Sequence, residues 1–385
     1  MKFFRKTFEY MQGKWRIYFC IVGLAVLVGI SFWKTPSLAE RRILLQTCPV
    51  GVMGTECSLI VYVNQSDKEY GEQLLSEAEK VLRECEILTS TWLENSEISR
   101  FNRMKAGQFL KISPFTEDFF LRSRKAWEET GGVFDITCGR IWQLWREAEK
   151  TGVLPDEEMI QVARNASGWG DIYLEPAVVT KTKDMVEVVS GGIAKGMAVD
   201  RAMKCLLHPK VLAAVVEVGG DLSVFQREGV LVPMEIRIRC PWEKAPGEKV
   251  DFQGMLTRQR VVGICTSGNY ERYFHVGGKY YSQILDPRTG FPSDEFLSVT
   301  VVAPDAATAD VWATALSILG EKGREILSEG VHILSMIKNK LPRNEKSKEE
   351  VTAGEERNFS GKGHAGLINL SYRHALNRSL CVLRC

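Results

Sequence analysis

The sequence predicts a mixed α/β fold, a single domain carried behind an amino-terminal membrane anchor, and three observations lead there. β-rich apolar runs recur at residues 58–63, 186–189, 213–218, 234–238, 261–265 and 297–302. Helical patterns separate several of these runs, while turn signals between others imply hairpins, so the sheet is mixed with helices rather than built from strict βαβ units. A short basic segment followed by a long apolar run opens the chain.

In that opening segment Lys2, Arg5, Lys6, Lys14 and Arg16 precede an apolar run over 17–33 that includes Ile21, Val22, Leu24, Val26, Leu27 and Ile30. Such a run reaches the lower end of what spans a bilayer, about 17–25 residues. Basic residues in front of it favour an inside amino terminus and an exported remainder. A cleaved signal peptide is the alternative. The residues after Gly29, Ile30-Ser31-Phe32-Trp33, carry no small-x-small cleavage pattern, which favours an anchor. The expectation is a stub and anchor over 1–34 in the inner membrane, with the following domain on the extracytoplasmic side.

Residues 35–50 read as a polar connector ending at Pro49. Met53-Gly54-Thr55 leads into the strand at 58–63. A helix over 70–88 follows, with Leu74, Leu75, Ala78, Val81 and Leu82 at helical spacing. Pro114 opens a second helix through Phe119, Leu121 and Trp127, which Gly131-Gly132 ends. Past Trp145 a charged helix stops near Gly152, and Pro155 starts another. Helices are also expected after Lys195 and after Pro304, the last with Asp305 as its cap. Residues 340–362 are crowded with charge and nearly free of large apolar side chains, a composition that predicts disorder. The domain is therefore assigned to 51–338 and a disordered tail to 339–385.

A formal net charge of +2 gives no electrostatic reason to expect nucleic acid, and no basic recognition helix is present. The ten cysteines form no C-x-x-C pair, so neither a zinc ribbon nor a thioredoxin-type site is supported, and most read as small buried hydrophobes.

Four segments carry chemistry. Gly191-Gly192-Ile193-Ala194-Lys195-Gly196 follows a strand-like run and opens a helix, where free N–H groups and Lys195 suit an anion. Taken alone it reads first as a glycine-rich strand-to-helix turn. Gly219-Gly220-Asp221 alone is a turn. Between two aromatic runs, Gly277-Gly278 signals a two-residue hairpin that pairs Val276 with Lys279, His275 with Tyr280 and Arg272 with Gln283. In the same segment Asp286-Pro287-Arg288-Thr289-Gly290 is a second turn that leaves Arg288 available to a phosphate or carboxylate. On the final helix Asp310 and Thr314 lie four apart and share a face, an arrangement that suits Mg²⁺.

Together with Ser90-Thr91-Trp92, Ser96-Glu97-Ile98-Ser99-Arg100-Phe101-Asn102 and Gly132-Val133-Phe134-Asp135-Ile136-Thr137, these blocks resemble the FAD:protein FMN transferases, the ApbE family, from about Met53 to Ile337. The resemblance implies an ApbE-like mixed α/β domain that binds FAD and Mg²⁺, transfers FMN to a Thr or Ser hydroxyl of an acceptor protein and releases AMP. The usual acceptors are subunits of membrane redox complexes. Carried over by motif, Mg²⁺ would be held by Asp310, Thr314 and the Gly192 carbonyl. FAD would touch Met53, Trp92, Val133, Phe134, Asp135, Val189, Lys195 and Ile284.

Three residues depart from the family pattern. Val189 stands where Asp is usual, Glu217 where Asn is common, and Gln283 where the catalytic His of His-Ile-x-Asp-Pro is expected. Gln forms hydrogen bonds but exchanges no proton near neutral pH. The hairpin register turns His275 away from the Gln283 face, so it offers no replacement. Two other outcomes stay open on that ground: a flavin-binding protein without transferase activity, and an FAD pyrophosphate hydrolase.

Overall fold

The computed structural model describes residues 41–230, 236–238, 248–250, 261–269, 273–338, 371–372 and 381–382. The expected anchor and nearly all of the expected tail lie outside these residues. Among the described residues no helix is long and apolar enough to cross a membrane.

A seven-stranded sheet organises the domain. Its strands are β1 (Arg42–Thr47), β2 (Cys57–Asn64), β6 (Val211–Val218), β7 (Asp221–Gln226), β10 (Val261–Gly268), β15 (Phe296–Ala303) and β16 (His332–Lys338), adjacent in that order. Every neighbouring pair is antiparallel. Two smaller strand groups fill the gaps in the numbering. The first joins β3 (Phe109–Lys111), β5 (Val178–Lys181) and β4 (Ile172–Glu175); the second pairs β8 (Ile236–Ile238) with β9 (Glu248–Val250). Tight hairpins are made by β11 (Tyr273–Val276) with β12 (Lys279–Ser282), and by β13 (Leu285–Asp286) with β14 (Phe291–Pro292).

The period of two along β2 explains its sequence. Cys57, Leu59, Val61 and Val63 enter the larger core under the helices, whereas Ile60 and Tyr62 enter a second apolar cluster on the opposite face. Both faces are covered, so the strand reads as an almost unbroken apolar run.

The helices are α1 (Lys68–Thr89), α2 (Glu97–Arg103), α3 (Pro114–Glu129), α4 (Gly139–Thr151), α5 (Glu157–Asn165), α6 (Ala194–Leu206) and α7 (Ala306–Leu319). In α1, Leu74, Leu75, Ala78, Leu82 and Cys85 form the buried stripe. Ser113 caps α3 through Thr116 N, with Pro114 in its first turn. Gly152 ends α4 in the left-handed conformation. Asp305 caps α7, its Oδ1 accepting from Thr308 N at 2.8 Å as expected. The buried sides of α1, α6 and α7 join the larger core.

Several expectations are corrected. Arg42–Thr47 is an edge strand of the main sheet rather than part of a polar connector, because Ile43 and Leu45 pack onto the larger core and Leu44 onto the second. Residues 186–189 form no ladder strand. Val186 O accepts from the Lys181 ammonium at 2.8 Å, Val188 bonds the Asn102 side chain, and Val189 N donates to Ile136 O at 2.8 Å. Side chains supply half of their backbone partners, which leaves a bent extended segment with one bridge, Glu187 to Cys138. Of the strand expected at 234–238, Ile236–Ile238 is observed and the remainder lies outside the described residues. The Gly277-Gly278 hairpin has the expected register, Val276 with Lys279 and His275 with Tyr280. Arg272 lies outside the described residues.

Candidate functional site

The site is assembled where α6 begins, beside the middle of α7 and the ends of β7 and β10. Two glycines make this junction possible. A Cβ on Gly196 would fall 2.5 Å from Ala306 O, so only glycine lets the first turn of α6 lie against the start of α7. A Cβ on Gly192 would meet Thr314 Oγ1 at 3.2 Å and the Phe134 ring at 3.0 Å, which places the Gly191-Gly192 loop directly over Thr314.

Asp200 fixes the two helices from the other side. Its carboxylate accepts from Ala306 N at 2.8 Å and Ala307 N at 2.9 Å, binding the first turn of α7 from α6. Burial, and then the nearby Asp305 carboxylate, push Asp200 up to about 7.

At the centre lie Lys195, Asp310 and Asp221. The Lys195 ammonium contacts Asp221 Oδ2 and stands 3.7 Å from Asp310 Oδ2. Asp310, only 3% exposed, also accepts from Gly196 N at 3.2 Å. Burial, and then repulsion from Asp221, push Asp310 up to about 7 against the pull of Lys195. Burial also works against the Lys195 charge, but Asp221 and then Asp310 outweigh it and hold Lys195 above the ordinary lysine value. Thr314, one turn beyond Asp310, shares a hydrogen bond with Ser267 Oγ at 3.2 Å.

The expected residues are thus brought together in part. Gly192, Asp310, Thr314 and Lys195 converge. Met53, buried and with φ of 52°, precedes a Gly54 that lies beside Trp92, and the neighbouring Thr55 packs against Gly219. Trp92 is 57% exposed, an open aromatic plate at the rim. Val133 and Phe134 are core residues, and what Phe134 offers the site is its ring edge against Gly192. Asp135 accepts from Thr137 N at 2.8 Å and Thr137 Oγ1 at 2.6 Å, yet burial still pushes it up to about 6.

Gln283 and Ile284 occupy the bend between β12 and β13. Ser282 Oγ donates to Asn269 Oδ1, and Asn269 follows β10 two residues after Ser267, so this bend is tied to the strand that touches Thr314. Trp145 supports it from behind: its Nε1 donates to Gly290 O at 2.8 Å and its ring packs on Tyr281, Phe274 and Phe291. His275 is exposed and stacked on Tyr280, away from this bend as the register implies. Arg288 is not free for a ligand: Nε and Nη2 bind Asp286 at 3.0 and 2.8 Å.

Sequence reasoning missed Asp221, Asp200, Ser267 and Asn269. The signal for Asp221 was present in Gly219-Gly220-Asp221, but a glycine pair before a carboxylate reads as an ordinary turn. Glu217 lies on the far sheet face opposite Ser58, and burial, followed by Glu56 and Asp221, pushes it up to about 8. Among the described residues no cluster of three or more His, Cys, Asp or Glu side chains could hold a metal. The available cation donors are instead the Asp310 carboxylate, the Thr314 hydroxyl and the Gly192 backbone carbonyl, an all-oxygen set that fits a hard cation.

The ApbE family model matches residues 53–335. An FAD:protein FMN transferase of Vibrio cholerae is 29% identical over 298 residues, covering 74% of this chain and 85% of the relative. That of Escherichia coli is 28% identical over 283 residues, covering 71% and 79%. Among solved structures, the ApbE protein of Thermotoga maritima superposes with a TM-score of 0.66 at 26% identity, over 80% of this chain and 98% of its own.

Proposed function

Because the chain belongs to the ApbE family, we propose that it transfers FMN from FAD to a Thr or Ser hydroxyl of an acceptor protein, with Mg²⁺ as cofactor and AMP as the leaving product. The observation that carries this reading is the convergence of Gly192, Asp310, Thr314 and Lys195 at one helix junction.

In this reading the Asp310 carboxylate, the Thr314 hydroxyl and the Gly192 carbonyl hold Mg²⁺, which supplies neutralisation of the diphosphate oxygens. Lys195 adds a positive charge, while the N–H groups of Ala194, Gly196 and Met197 at the start of α6 are already taken by Ser190 O, Asp310 and Ile193 O, so the free N–H groups expected there are not what receives the anion. Trp92 offers a stacking face to the flavin, with Met53, Val133, Phe134, Asp135, Val189 and Ile284 as further contacts. In-line displacement forms a bond from the acceptor oxygen to the FMN-side phosphorus, breaks the bond to the AMP oxygen, and requires the hydroxyl proton to leave. Gln283 can hydrogen-bond a hydroxyl but takes no proton near neutral pH, so the hydroxyl proton leaves to an acceptor other than this side chain.

Gln283 also favours a second reading, in which the chain hydrolyses FAD to FMN and AMP or binds it without turnover. The basic segment and apolar run at 1–34 support an anchored protein whose domain faces the extracytoplasmic side, where subunits of membrane redox complexes present their acceptor hydroxyls.

One assay separates these outcomes. Detergent-solubilised full-length protein is mixed with FAD, Mg²⁺ and a threonine-containing acceptor domain, and acceptor mass and nucleotides are read together. An FMN adduct with AMP release supports transfer. FMN and AMP without adduct mean hydrolysis, and intact FAD with no adduct removes both enzymatic readings.

A further inference from the structure

Asp221 is the first residue of β7, reached through Gly219 and Gly220, both of positive φ. Strand alternation sets Leu222 and Val224 in the far cluster and Phe225 in the larger core, so Asp221 faces the helices and the site. Its side chain is 1% exposed. Oδ2 holds Lys195, whereas Oδ1 is sealed from solvent and has no hydrogen-bond partner. Buried carboxylate oxygens are normally satisfied, and one left without a donor marks a missing water or ion.

The charges point the same way. Asp221 and Asp310 are both almost fully buried, and the Lys195 ammonium serves the two of them. Two carboxylates around one ammonium leave negative charge in a place where an unpaired charge is costly. A divalent cation with oxygen preference matches both the orphan oxygen and the excess charge.

We propose that Asp221 is a further ligand of the divalent-cation site, with Oδ1 taking the cation directly or through one water while Oδ2 keeps Lys195 in place. This rests on the reading that a cation occupies the Asp310–Thr314 site, and it adds a residue to that set.

The test is Mg²⁺ titration by calorimetry, repeated with Mn²⁺ by electron paramagnetic resonance, on full-length protein in micelles without FAD. Asp221→Asn is expected to weaken binding at least tenfold, and Asp221→Ser, the second variant should the first fail to fold, likewise. Unchanged affinity in a folded variant overturns the proposal while leaving the cation site intact, and then only water fills the Oδ1 position. No Mg²⁺ binding by the unaltered protein instead sinks the underlying cation reading. The pair is also compared in a Lys195→Met background. A loss that persists there supports direct ligation, and a loss that vanishes there means Asp221 acts only by holding Lys195, which overturns the ligand role.

Discussion

Asn102 grips both backbone groups of Val188: Nδ2 donates to Val188 O at 2.9 Å, and Oδ1 accepts from Val188 N at 2.8 Å. One side chain on α2 thereby sets the path of the segment that turns into Gly191-Gly192. Asn102→Ala leaves a donor and an acceptor unmet near the core, at about 1–3 kcal/mol each. A loss of roughly 2–6 kcal/mol in urea unfolding is expected. Asn102→Asp keeps the bond from Val188 N and loses the other, so it falls between the two. Equal stability of all three proteins would show that solvent replaces these bonds.

Lys195 stands between two buried carboxylates, and its removal strands both. Lys195→Met is expected to cost about 3 kcal/mol at pH 8 without metal. The raised lysine contributes fully below its unfolded value near 10.5, so this pairing is complete at pH 8. Without the pull of Lys195 the Asp310 carboxyl lies higher than its about 7 in the parent, so in the variant it takes up a proton as pH falls from 8 toward 7, the stranded charge is relieved, and the deficit is smaller at pH 5.5 than at pH 8. Denaturant midpoints at the two pH values check this, and a deficit that does not vary with pH contradicts it.

Glu217 gives a stability effect of opposite sense. Its carboxyl is pushed up to about 8 in the fold, from 4.5 in the unfolded chain. The folded state therefore binds the proton more tightly, and the residue costs stability as pH rises from about 4.5 to 8. Glu217→Gln removes that cost. The variant is expected to match the parent in thermal midpoint at pH 4.5 and to exceed it increasingly up to pH 8.5. A constant difference across that range would mean that the carboxyl titrates normally.

Local rules made much of this fold legible. The Gly277-Gly278 turn fixed the hairpin register, and Asp305 announced the start of α7, because both interactions close within a few residues. Two of the features missed by sequence reasoning are satisfied across long separations. Residues 186–189 have strand composition, but Asn102 supplies two of their partners from 86 positions away. Asp221 becomes a site residue only because Lys195, on a different element, reaches it. Arg288 looked available and is consumed two residues away by Asp286, a local pairing that composition does not reveal. At the centre, periodicity put Asp310 and Thr314 on one helix face, and the roles expected of Gly192 and Lys195 came with the family resemblance rather than from spacing.

Gln283 allows the sharpest functional test. It sits on the bend that Ser282, Asn269 and Trp145 hold in place, so its backbone position owes nothing to its own side chain. Replacing it with His changes the chemistry at that point while leaving those supports untouched. A histidine there titrates near neutrality and accepts the proton that the acceptor hydroxyl loses, a contribution typically worth 10²–10⁴-fold. Gln283→His is therefore expected to raise the first-order rate of acceptor flavinylation at pH 7.5 by at least about tenfold. The gain should fade below about pH 6, as the imidazole becomes protonated. FAD affinity should change little, which places the effect in turnover rather than binding. Single-turnover kinetics across pH 5.5–8.5 measure both. A rate that is unchanged, or that rises equally at every pH, would show that proton removal at this position does not limit the reaction.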